Sequence, residues 1–247
     1  MPTLVAEKFS PWSEKARWAL DHHRLAYAYR EHYPLMGELT LRLRARRPTG
    51  RVSTPMLLTA EGPLIDSFDI ARYAEREGGA APLFPAGHEE ALGAWNARSE
   101  AALRSARVLY LERLGESRAA KVELQPDTLP LAVRRLAAPT VDLAISFLRR
   151  KYGMQDAASA QVSLVNELDA LQSALAGGKT HLVGERFTYA DVAMAVTLQF
   201  VSPVADRYLP LGPATRASCI HPELAARYPE LVAWRDALYA RHRRSAP

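Results

Sequence analysis

Two periodicities divide the chain. Up to about residue 80, short apolar runs alternate with amphipathic stretches, as expected when strands and helices take turns. Thr3-Leu4-Val5-Ala6 opens a strand over residues 3–7. A helix over 12–23 follows, with Ala16, Trp18, Ala19 and Leu20 on its buried side. A β-like run covers 27–31 and a helical stretch 36–46. Met56-Leu57-Leu58-Thr59 and Gly62-Pro63-Leu64-Ile65 read as a hairpin turning through Ala60-Glu61-Gly62. A helix then runs from Ser67 to Glu77 and stops at Gly78-Gly79. The order βαβαββα requires a mixed sheet with helices on it, because a βαβ unit imposes a parallel pair. From residue 88 onward the repeat becomes helical, over 88–115, 128–152, 159–176, 188–200 and 222–244. The expected plan is α/β plus all-α: a first domain over 1–80, a Pro- and Ala-containing linker over 81–87, and a helical bundle of five or so helices over 88–247.

Composition narrows the class. At 48% hydrophobic and 24% charged residues the chain has ample material for a core. It contains no apolar run near the ~18 residues a membrane span requires, and no secretory signal, so a cytoplasmic protein without membrane attachment is expected. Cys219 is the single cysteine, which excludes an internal disulfide or a Cys-built metal site. It reads as a buried or loop residue rather than a reactive thiol. The seven histidines lack ligand spacing, so no metal is expected, and His22 and His23 should point to different faces of their helix.

The formal charge of +5 rests on 27 Arg against 5 Lys, and one cluster stands out: Arg42, Arg44, Arg46, Arg47 and Arg51. A solvated helix face explains it, and so does an electrostatic funnel toward a small anion near the first helix. Nucleic acid is not expected, since neither interleaved aromatics nor a recognition motif accompanies the charge.

Candidate chemistry begins at Phe9-Ser10-Pro11-Trp12-Ser13, where a strand gives way to a helix. The first N–H groups of a helix have no intrahelical acceptor and sit at the positive end of the macrodipole, so the position favours an anion. Ser10 either caps the helix ahead of Pro11 or turns its hydroxyl toward that anion, a thiolate for instance; Ser13, one turn in, is the competing hydroxyl. Thr188-Tyr189-Ala190-Asp191 reads as a capping box, the hydroxyl accepting from the Asp191 amide and the carboxylate from the Thr188 amide.

Four segments carry a family resemblance: Ser10-Pro11-Trp12-Ser13 with Lys15 and Arg17; Arg47-Pro48-Thr49-Gly50-Arg51-Val52-Ser53-Thr54-Pro55; Asp66-Ser67-Phe68-Asp69-Ile70 followed by Tyr73; and Thr188 to Asp191. In this order and spacing the chain resembles the soluble glutathione S-transferases of the serine type. Their plan is a thioredoxin-like βαβαββα domain followed by an all-helical one. The resemblance implies that Ser10 donates a hydrogen bond to glutathione's sulfur and favours the thiolate. It implies a cis bond before Pro55, with Thr54 offering its main chain to the cysteinyl part. This chain reads Val52-Ser53-Thr54-Pro55 where many members have Val-Pro directly, so adjacency alone selects Thr54 over Val52.

The resemblance further implies that Asp66 and Ser67 hold the γ-glutamyl end, with Arg51, Arg42 or Arg47 meeting the glycyl carboxylate. An apolar electrophile would bind between the domains near Phe9, Trp12 and Tyr110, although aromatics at helical spacing also serve as core. The implied protein is a homodimeric detoxifying transferase with glutathione as co-substrate. A glutathione-dependent isomerase or dehalogenase, or a binding or scaffold protein on the same fold, are the alternatives.

Overall fold

A computed structural model describes residues 1–47 and 49–243. Pro48, part of the second motif, and residues 244–247 lie outside the described residues. The elements are β1 (Thr3–Ala6), α1 (Pro11–His22), β2 (Ala28–Glu31), α2 (Glu38–Arg44), β3 (Met56–Thr59), β4 (Gly62–Ile65), α3 (Ser67–Glu77), α4 (Glu89–Glu116), α5 (Arg118–Glu123), α6 (Leu131–Ala137), α7 (Thr140–Tyr152), α8 (Ala157–Ala174), α9 (Tyr189–Thr197), α10 (Pro213–Cys219), α11 (Pro222–Arg227) and α12 (Pro229–His242).

The chain forms two compact units that are not contiguous in sequence. The first contains Met1–Ala97, Gly177–Val196 and, within the described chain, 238–243; the second contains Arg98–Ala176 and Thr197–Ala237.

In the first unit the strands lie in the order β2-β1-β3-β4. β1 and β2 are parallel, joined through α1, whereas β1–β3 and β3–β4 are antiparallel. Thr59 already pairs with Gly62, so the hairpin turn is Ala60-Glu61 and Gly62 belongs to the strand, at φ +130°. Val5, Leu41, Ala45, Val52 and Met56 form a buried cluster against the sheet. On the α1 side, Trp18 is fully buried against Tyr239 at 4.4 Å, edge to face. α3 begins at Ser67 and ends at Glu77 as its pattern predicts. A Cβ on Gly78 would lie 2.4 Å from the His23 Cβ, so only glycine lets the end of α3 approach α1 this closely. Residues after α3 are held to it, because Glu75 Oε2 accepts from the Leu83 and Phe84 amides at 2.7 and 2.9 Å.

Past residue 88 the described residues hold nine α-helices, where the periodicity suggested five or so stretches. The stretch 128–152 is two helices broken at Pro139, and 222–244 is two broken at Pro229; Pro lacks the N–H a continuing helix needs. The short α5 and α10 were not anticipated. In the second unit Leu111, Leu114, Ala120 and Ile145 form the buried centre of one cluster. Glu123 caps α10 from a distance, accepting from the Ala214 and Thr215 amides at 3.1 and 2.7 Å.

Candidate functional site

The strand register brings three motifs to one end of the sheet. Val5 pairs with Met56, and Met56 pairs with Ile65, so these three residues form one row across β1, β3 and β4. Just beyond this row the chain leaves β1 toward Ser10, enters β3 from Thr54-Pro55, and leaves β4 into Asp66-Ser67.

Ser10 occupies the N-cap position of α1 with φ −77° and ψ 125°, and its carbonyl accepts from the Glu14 amide at 3.0 Å. Its half-buried hydroxyl makes no capping hydrogen bond. Pro11 fits the first helical position, where its missing N–H costs nothing, and the cap function that the Ser10 residue type suggests is not exercised. Ser13 is different: it is fully buried, and its Oγ accepts from the Glu7 amide at 3.1 Å.

Thr54 and Pro55 are joined by a cis peptide bond. Pro55 is buried and Thr54 half-buried, its hydroxyl donating to Glu7 Oε1 at 2.6 Å. Asp66 is exposed and sits at φ +149°, a region L residues adopt at a cost of about 1–3 kcal/mol. Its carboxylate accepts from the Phe68 amide at 2.7 Å and caps α3. Ser67 is only 1% exposed, and its Oγ has no hydrogen-bond partner among the described residues. An unpartnered buried hydroxyl at a helix N-terminus is an incomplete arrangement that an incoming acceptor would complete.

Arg42 donates to the Gly50 carbonyl at 2.8 Å and lies 3.3 Å from Glu38, so it braces the segment after α2. Arg46, Arg47 and Arg51 are exposed. Phe9 and Trp12 flank Ser10, both half-buried, with the Lys8 ammonium 5.7 Å from the Phe9 ring centre. Tyr110 belongs to the second unit, where its ring stacks on Phe200 at 4.8 Å and packs on the Leu111 cluster.

Two expectations change and one holds. The Thr188 hydroxyl donates to Asp191 Oδ2 at 3.2 Å instead of accepting from the Asp191 amide, although the Thr188 amide does donate to that carboxylate at 2.8 Å. Asp191 also receives the Leu182 amide at 2.9 Å, so it ties down the preceding loop as well as the helix start. Its burial raises the carboxyl pKa against the opposing pull of those amides. His22 and His23 do not diverge; His23 has left the helix, and their rings meet edge to face at 4.9 Å. Cys219 is buried, its thiol pushed up to about 12 by desolvation and therefore unreactive.

Pattern reasoning missed Glu7, which contacts both Ser13 and Thr54, and Arg243, which binds Glu14 on α1. Neither lies in a motif. Each acts across a long sequence separation that only the fold closes.

Two family models match the chain: one described as the glutathione S-transferase N-terminal domain, over residues 9–77, and one as the C-terminal domain, over 126–237. No curated protein matches. Similar solved structures include a glutathione S-transferase from Methylobacillus flagellatus with glutathione bound (19% identity over 98% of this chain and 95% of that one, TM-score 0.62). Another, from Methylobacterium radiotolerans, is a complex with glutathione sulfonate (18%, 100% and 96%, TM-score 0.63). A third, a glutathione transferase family member from Pseudomonas fluorescens, holds S-(propanoic acid)-glutathione (15%, 100% and 98%, TM-score 0.59). At these identities the likeness is one of fold.

Proposed function

The chain belongs to the glutathione S-transferase superfamily, and from that premise we propose that it is a serine-type glutathione transferase adding the glutathione thiolate to an apolar electrophile. The observation that carries this reading is the pair of serine hydroxyls at two helix starts on one end of the sheet: Ser10 at α1, which makes no cap bond, and Ser67 at α3, whose Oγ has no partner among the described residues. In the proposed complex the Ser67 hydroxyl and the α3 N-terminus receive the γ-glutamyl carboxylate, and Asp66 meets the ammonium beside it. The Thr54 main chain, next to the cis bond, holds the cysteinyl part. Arg51 is the proposed contact of the glycyl carboxylate.

Ser10 then faces the sulfur. A free thiol titrates near pH 8.5, and every unit of lowering adds about 1.4 kcal/mol of preference for the thiolate. The Ser10 hydroxyl and the positive end of α1 both act in that direction. Phe9 and Trp12 are the proposed contacts of the electrophile. A cytoplasmic homodimer is part of the same reading, checked by solution mass against the 27.4 kDa of one chain.

Retention on immobilised glutathione, followed by conjugation assays, tests the proposal. Ser67→Ala is expected to weaken glutathione binding about tenfold, the loss of one hydrogen bond to a charged group, measured by calorimetry. Wild-type protein that binds glutathione but conjugates no electrophile would favour a binding or scaffold role. Turnover confined to isomerisation or dehalogenation would move the reaction class and keep the cradle.

A further inference from the structure

Glu7 stands one residue past β1 and belongs to none of the recognised motifs, yet it touches three of their residues. Its carboxylate Oε1 accepts from the Thr54 hydroxyl at 2.6 Å. Its N–H donates to Ser13 Oγ at 3.1 Å, and its carbonyl accepts from the Ser10 N–H at 3.2 Å. The register accounts for the first bond: Val5 pairs antiparallel with Met56, so two residues further along each strand bring position 7 opposite position 54. The turn that follows is pinned on its other side as well. Lys8 donates its amide to Glu31 Oε1 at 2.9 Å, at the end of β2, and its carbonyl receives Arg17 Nη2 at 3.0 Å.

We propose that Glu7 is a positioning residue of the glutathione cradle: its carboxylate fixes Thr54, and its main chain sets where α1 begins and so where Ser10 stands. The inference rests on reading this end of the sheet as the glutathione site. The chemistry favours it over a merely structural role. Thr54 is half-buried, so without an anchor its side chain has more than one rotamer open to it. A short bond from a hydroxyl to a carboxylate is among the stronger hydrogen bonds available, and it holds Thr54 in place before any ligand arrives. Preorganisation of this kind lowers the ordering cost of binding, so its loss falls on glutathione affinity rather than on the later chemical step.

The test uses the full chain and begins with glutathione binding by calorimetry. No binding by the wild type would reject the underlying reading of the site, and this inference with it. With wild-type binding in hand, Glu7→Ala is expected to weaken glutathione about tenfold, as losing a bond to an ionised group does. Glu7→Gln, whose amide oxygen still accepts from Thr54, should stay within about threefold. Thr54→Val should resemble Glu7→Ala, and the double variant should be no worse than either single one. In steady state the loss should appear in KM for glutathione, with kcat at saturating glutathione retained. If Glu7→Ala does not fold, Thr54→Val alone and combined with Glu7→Gln carries the same comparison. Wild-type affinity in Glu7→Ala, equal losses in the Ala and Gln variants, or additive losses in the double variant would each overturn the proposal while leaving the glutathione site intact.

Discussion

Ser10→Ala is expected to lower kcat/KM for conjugation of glutathione to an aryl halide by about 10²–10³-fold, the usual cost of deleting one preorganised donor to a developing anion. Stability should change by no more than about 0.5 kcal/mol, because the hydroxyl makes no capping bond whose loss would be felt. The two readouts together separate the roles the residue type allows. A capping serine would lose about 1 kcal/mol of stability and no rate; a thiolate donor would lose rate and no stability. The bound glutathione thiol, followed by thiolate absorbance against pH, should titrate higher in the variant. Ser13→Ala provides the opposite signature. Its hydroxyl accepts from the half-buried Glu7 amide, so removing it should cost about 1 kcal/mol of stability. Wild-type kinetics in Ser10→Ala would end the assignment of Ser10 as the catalytic hydroxyl.

The second large effect lies on the same helix, one turn further in. Arg243→Ala is expected to destabilise the protein at pH 7 by about 3–5 kcal/mol, read from urea midpoints. The Glu14 and Arg243 side chains are only 3% and 5% exposed, with Nε 2.8 Å from Oε1. Asp21 Oδ2 accepts from Arg243 Nη1 at 2.6 Å, and Arg17 lies 2.9 Å from Glu14. Burial pushes the Glu14 carboxyl up, but the Arg243 and Arg17 guanidiniums more than offset this and hold it below the ordinary 4.5. A carboxylate lowered in the folded state contributes stability above its unfolded pKa, and that contribution disappears as the pH falls through the folded value.

Without Arg243, burial dominates, and Glu14 is left as an underpaired charge that protonation relieves. The deficit of the variant should therefore shrink as the pH is lowered from 7 toward 4.5. Glu14→Gln combined with Arg243→Gln should recover much of the loss, since the buried Glu14 carboxylate is then no longer left short of its counter-charge. In the wild type an earlier acid limb is expected. Burial holds His23 and His242 neutral down to about 4, so stability begins to fall below pH 6.5, before the carboxylates titrate.

Local chemistry made much of the first unit legible in advance. Helix α3 could be read to the residue because Asp66-Ser67 starts it and Gly78 ends it. Ser10, Thr54-Pro55 and Asp66-Ser67 were visible because each sits at an element boundary with its own residue signature. The helical region was harder. Ala, Leu and Arg keep a 3.6-residue rhythm on both sides of Pro139 and Pro229, so the periodicity ran through breaks the backbone does not tolerate. Glu7 and Arg243 were invisible for a different reason. Their partners Thr54 and Glu14 lie 47 and 229 residues away, and nothing short of the strand register or the path of α12 would have placed them together.

The row Val5–Met56–Ile65 also bears on how the chain can change in length. At the other end of β3, the exposed Ala60-Glu61 turn joins it to β4 away from Ser10, Thr54 and Ser67, so an added residue there only lengthens a hairpin. The same addition between Pro55 and Met56 would slip β3 by one position, exchange its two faces, and carry Thr54 away from Glu7. One strand of four residues thus has an end open to insertion and an end closed to it, which makes Ala60-Glu61 the natural place to attach a reporter or graft a loop.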